Sequence, residues 1–170
     1  MIRSIAVTTL LFLCFALAET AILANMLFLP AVPDFLLLML LYVAVQNGRL
    51  YGVIAGFISG LMLDFLSGCP FGFNCLLRTV IGYGAGLFNR TLNITGVLLP
   101  ALQGLVATLV KVILLWLISV CFPAGIRSYM LLTPALAFEL ALNIVLAPVM
   151  YAFMALFGRY VVLSLEQVPQ

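Results

Sequence analysis

Residues 50–72 read L-Y-G-V-I-A-G-F-I-S-G-L-M-L-D-F-L-S-G-C-P-F-G. Gly52, Gly56, Gly60, Asp64 and Gly68 recur at four-residue intervals, which places them in one slowly drifting row on a helix. Small residues at that interval let two helix backbones approach closely in lipid. A second row follows at the same interval: Asn74, Arg78, Gly82 and Gly86. The stretch Ser67–Gly72, with Pro70 and Gly72 as its turn residues, joins the two helices as antiparallel neighbours. The rows are therefore expected to meet. Asp64 and Arg78 would then stand at similar depth, where a carboxylate and a guanidinium offset much of each other's burial cost. Such a pair is either an internal clamp or a group facing a partner subunit or cavity.

The rest of the chain fixes the solvent. Apolar residues make up 66% of it and charged residues 7%, against roughly 45–50% and 25% in soluble domains. Mean hydropathy is +1.35. A 170-residue globule cannot hide so much apolar surface. This excludes a secreted disulfide scaffold, a cytosolic enzyme domain and a disordered tail. A net charge of +2 leaves no nucleic-acid footprint. With no histidine, the commonest catalytic base and metal ligand is missing.

Lengths and punctuation predict an all-α integral membrane bundle of six helices, over about 4–29, 33–46, 50–66, 73–88, 95–122 and 131–157, with a cytoplasmic tail at 158–170. Joining the second and third would give a helix of about 51 Å against a 30 Å hydrocarbon core, and Asn47-Gly48-Arg49 is a turn signal at the break. Arg3 and Ala16-Leu17-Ala18 resemble a signal peptide, but the apolar run continues to Leu29, as a span does. Arg3, Arg49, Arg90 and Arg159 fall on one side and Arg127 on the other, which predicts both termini in the cytoplasm. The chain reads as one domain with no external or large cytoplasmic portion. The sequons at Asn89 and Asn93 would then face inward and carry nothing.

Charges inside spans are costly and mark the places to examine. Besides Asp64 and Arg78 they are Glu19, Lys111 and Glu139; Asp34 opens the second span near the interface. Lys111 lies about 18 Å and Glu139 about 12 Å from the outer ends of their helices, a difference that a lysine stem covers. Glu19, about 15 Å from its own end, competes for the same lysine. Three carboxylates against two cations leave one over, either protonated or matched from outside the chain. Gly82, Gly84 and Gly86 follow no strand and are not a nucleotide loop. No nucleophile has a base beside it, and Cys14, Cys69, Cys75 and Cys121 show no metal spacing, so neither enzyme activity nor a cofactor or metal is expected. A bridge between Cys69 and Cys75, which flank the short turn, is conceivable on an oxidising side.

Pro33-Asp34 with its leucine-rich run, Asn47-Gly48-Arg49, the Gly52-Gly56-Gly60-Asp64 row, Pro70-Phe71-Gly72 and Gly82-Tyr83-Gly84-Ala85-Gly86 occur in this order. Together they resemble the bacterial rod shape-determining MreD family. The motifs cover about a third of the chain; length and span count are similar along all of it. The resemblance implies a non-enzymatic scaffold of the inner membrane in the complex that elongates the peptidoglycan wall. Its implied partners are the bitopic protein MreC, the RodA and penicillin-binding synthase pair and, indirectly, the filament protein MreB. It also implies a fold similar to the substrate-binding subunits of energy-coupling factor transporters. It carries over no catalytic residue, and Asp64, Pro70 and Gly72 match its turn motif. The competing reading is the substrate-binding membrane subunit of a vitamin-type transporter. A polar outward cavity would favour transport, and a filled interior the scaffold.

Overall fold

The computed structural model describes residues 2–21, 32–67, 70–89, 96–121 and 134–162. These residues form seven helices: α1 (Ile2–Ala21), α2 (Phe35–Asn47), α3 (Arg49–Ser67), α4 (Phe73–Leu87), α5 (Leu98–Cys121), α6 (Pro134–Leu156) and the single turn α7 (Gly158–Val161). No strand occurs among the described residues. Four helices are long and apolar enough to cross a membrane: Arg3–Ala21, Arg49–Ser67, Leu98–Val120 and Ala135–Leu156. The expected continuation of the first span to Leu29, the loop 123–130 and Arg90 and Arg127 lie outside the described residues. The expected tail begins instead as α7, whose Val161 is buried. Pro148 sits inside α6 without ending it.

The second helix organises the others. α2 has 13 residues and spans about 20 Å, well short of a bilayer core. It is apolar all round, and every side chain from Leu36 to Val45 is buried. A helix with no polar face belongs in the interior of a bundle. Its ends are fixed by local chemistry. The Asp34 carboxylate accepts from Leu37 N–H at 2.9 Å, satisfying one of the amides orphaned at a helix start. Gly48, at φ 91°, closes the other end with its N–H on Ala44 O. Asn47 then donates from Nδ2 to Val43 O and Val161 O, tying α7 under α2.

Around this axle stand α1, α3, α4, α5 and α6, each packed against it. Phe15 of α1 meets Phe35 and, on α6, Phe153, with centroids 6.2 and 5.5 Å apart. Tyr42 packs edge-on against Tyr151 at 5.3 Å. The tightest seam is α3 on α4. There the two glycine rows meet. A Cβ on Gly52 would strike the carbonyl of Gly82, and one on Gly82 the carbonyl of Gly52. A Cβ on Gly56 would strike the Arg78 carbonyl, and one on Gly60 the backbone of Asn74 and Cys75. Gly86 faces the backbone at Arg49 in the same way. Every obstacle named is main chain, so no rotamer change can relieve it. Backbone contact of this kind supplies dispersion attraction where lipid removes the hydrophobic driving force.

Gly56→Leu therefore forces α3 and α4 apart and should cost at least about 3 kcal/mol, at the top of the overpacking range. Gly84→Ala, which meets nothing within 4 Å, should be neutral or slightly stabilising. Unfolding of the purified variants in detergent, followed by far-UV circular dichroism, measures both.

Candidate functional site

A tight turn in which Phe35 N–H donates to Pro33 O at 3.2 Å leads into α2 and leaves Asp34 at the point where α2, α4, α5 and α6 converge. Arg78, one turn into α4, donates from Nη2 to Asp34 Oδ1 at 2.6 Å. Lys111 of α5 donates to Asp34 Oδ2 at 2.8 Å and to Glu139 of α6 at 2.7 Å. The four side chains form one line: Arg78, Asp34, Lys111, Glu139. Two cations alternate with two carboxylates and the line is neutral. Asn143 completes it. Its Oδ1 accepts from Asp34 N–H at 3.1 Å, and its Nδ2 donates to Thr108 Oγ1, which donates in turn to Gly104 O.

Asp34 is 4% exposed, Arg78 1% and Asn143 0%. Burying charges is repaid only when the pair geometry is good and the remaining lone pairs and protons are also satisfied. Asp34 meets that condition with two cations and the Leu37 amide. Arg78 meets it incompletely, because its Nη1 has no acceptor.

The expected Asp64–Arg78 pair does not form. Asp64 Oδ2 accepts from the N–H groups of Gly72 and Cys75, at 2.9 and 3.2 Å. Its Oδ1 accepts from Asn74 N–H and Asn74 Nδ2, both at 2.9 Å. The carboxylate thus caps α4 from the last turns of α3, against the positive end of the helix dipole. Those amides occupy it fully, and Arg78, deeper in the bundle, reaches across to α2. Gly72, at φ 91° in the left-handed region, lets the turn swing its amide onto Asp64. Cys75 is buried with a free thiol.

The competition for Lys111 is also decided. It binds Glu139 and Asp34, while Glu19 accepts from Leu36 N–H at 3.3 Å. Two of these four carboxylates are ion-paired and two rest on backbone amides, which replaces the simple excess of one carboxylate. Asp34, Asn143 and Thr108 were not singled out as site residues by sequence reasoning. A signal for Asp34 existed, since Asp before an apolar run marks a helix N-cap. For Asn143 and Thr108 the signal was their spacing, four residues after Glu139 and three before Lys111, which puts each on the face of an intramembrane charge.

The arrangement links α2, α4, α5 and α6. No group of three His, Cys, Asp or Glu side chains able to hold a metal occurs among the described residues. A void of about 490 Å³ lies elsewhere, between α4 and α5, and is lined almost wholly by apolar side chains.

Removing Lys111 alone orphans the Glu139 carboxylate and should cost about 3–5 kcal/mol, whereas removing Glu139 leaves Lys111 on Asp34 and should cost less. Lys111→Met combined with Glu139→Gln should cost clearly less than the sum of the single changes. Asp64→Ala and Arg78→Ala, which share no partner, should add to within about 0.5 kcal/mol. Two thermodynamic cycles in detergent unfolding test both expectations, and coupling between Asp64 and Arg78 would contradict the geometry above.

Comparison with known proteins agrees with the motif reading. The model of the family described as rod shape-determining protein MreD matches residues 2–157. No curated protein and no solved structure matches the chain. With nearly the whole chain covered, this protein belongs to the MreD family of rod shape-determining proteins.

Proposed function

We propose that the chain is a non-enzymatic scaffold of the cell-wall elongation complex in the bacterial inner membrane. It binds the single spanning helix of MreC and helps position the RodA and penicillin-binding synthase pair, with MreB linked indirectly. The family match over residues 2–157 is the observation that carries this reading, because it supplies rod-shape determination. In the proposed topology α1 to α6 are six spans with both termini in the cytoplasm, an arrangement similar to the substrate-binding subunits of energy-coupling factor transporters. Exposed Arg3, Arg49 and Arg159 then share the inner side.

The distribution of polar groups supports a scaffold over a transporter. A solute site needs unspent donors and acceptors around a cavity. Here Asp34, Arg78, Lys111, Glu139, Asn143 and Thr108 bond to one another. The 490 Å³ void faces sideways between helices and is apolar. A surface of that kind is suited to another helix or to lipid.

Affinity purification of the tagged full chain from mild-detergent membranes, with mass spectrometry of what accompanies it, tests the proposal. MreC with the elongation synthases is the expected result. An ATPase with a membrane coupling subunit, and no MreC, would overturn it in favour of transport.

A further inference from the structure

Among the described residues the shell around α2 is incomplete. A helix surrounded by helices of its own width has room for six neighbours at the usual interaxial distance of about 8–10 Å. α2 has five. α3 packs on α1 and on α4, and α5 packs on α6. Phe15 and Phe153 close α1 against α6. Between α4 and α5 the contact is sparse, and there the shell opens onto Leu41 and Val45 of α2.

This gap has the form of a seat for one helix. Its α5 wall presents Leu99, Leu102, Val106 and Val110, spaced as one face of a helix over about 16 Å, or three turns. Its α4 wall presents Val80, Gly84 and Leu87. Val80, Leu87, Leu102 and Val106 are exposed, while Leu41 and Val45 beneath them are buried, so the surface is concave. The void measures about 490 Å³. Gly84 has nothing within 4 Å of a Cβ position, which lets an incoming backbone approach as Gly82 lets α3 approach on the opposite side.

From this geometry we infer that the α4–α5 gap, floored by Leu41 and Val45, is the docking seat for one transmembrane helix of a single-pass partner. The inference rests on the partner reading above and names where that helix binds. The occupant's face opposite Gly84 is built from small residues. An acyl chain offers no such face. On α5 the seat runs from Leu99 to Val110; Lys111, the next residue, is not in its lining and binds Asp34 and Glu139. Docking there leaves the ionic line untouched.

A photo-crosslinking residue placed at Val106, on the wall, and at Val145, exposed on α6, tests the seat in cells expressing the full chain and MreC. The expected result is an adduct of Val106 with the spanning helix of MreC, at least about tenfold stronger than at Val145. Gly84→Leu should fold as the parent does, since its side chain enters open space. It should lower both the adduct and co-purification of MreC by at least about tenfold. Suppose MreC co-purifies with the parent, but Val106 captures only lipid, a second copy of this chain or its own residues 163–170. The seat is then wrong and the partner reading stands. The seat is equally wrong if Gly84→Leu retains MreC undiminished. If MreC does not accompany the parent chain, the partner reading fails and the seat fails with it.

Discussion

The carboxylate of Asp34 carries three duties at once. It caps α2, neutralises Arg78 from α4 and neutralises Lys111 from α5. Through Lys111 it reaches Glu139 of α6, and its own N–H is held by Asn143 of the same helix. Four helices therefore share one electrostatic anchor at the start of the shortest of the apolar ones. In hydrocarbon an unpaired charge is expensive enough that such an anchor has few alternatives. A half-made version would leave an ion exposed to lipid. The network specifies one arrangement of helices more than it adds net stability, since desolvation consumes much of the Coulomb gain.

Packing supplies what the charges do not. α2, at about 20 Å, is shorter than the hydrocarbon core is thick and apolar on every face, so it lies inside the bundle, on its axis. Its uniform burial means that its neighbours see a smooth leucine-rich rod. The grip comes from α3 and α4, whose main chains meet at Gly52 and Gly82. That contact brings Arg78 within reach of α2, because the backbone of Arg78 lies against Gly56 while its side chain continues to Asp34. Glycine spacing and ion pairing are thus one device: close approach on one side sets the reach on the other.

The sequence shows the local parts of this design and hides the non-local ones. A four-residue glycine interval is visible in one dimension because helix period converts it into a face. Asn47-Gly48 marks a turn through backbone preference, and the Gly48 φ of 91° is its physical content. Pairing of charges is different. Arg78 lies 14 residues from Asp64 and 44 from Asp34, and depth alone fits the nearer acid. What excludes Asp64 is the set of amides at the start of α4, a three-dimensional fact created by the Gly72 turn. Asn143 and Thr108 show the same limit. Each lies near an intramembrane charge on a mostly apolar helix, Thr108 near Lys111 and Asn143 near Glu139, and only the fold reveals that they face each other.

These features separate the molecule along its axis. Toward the Asp34 end, polar side chains bond to one another and leave few groups for an outside ligand. Toward the Gln103 end, the shell parts and shows apolar walls. In lipid, apolar surface as such attracts nothing, because the acyl chains are equally apolar. Selectivity at such a surface must come from shape and from close backbone approach. The α4–α5 gap offers both, at Val106 and Gly84. The ionic line then acts on a docked helix only by holding α4 and α5 at their separation: Arg78 and Lys111, one on each wall, are fixed to the same carboxylate. Loosening that carboxylate changes the width of the seat without touching its lining, so charge set deep in one half of the bundle governs shape in the other.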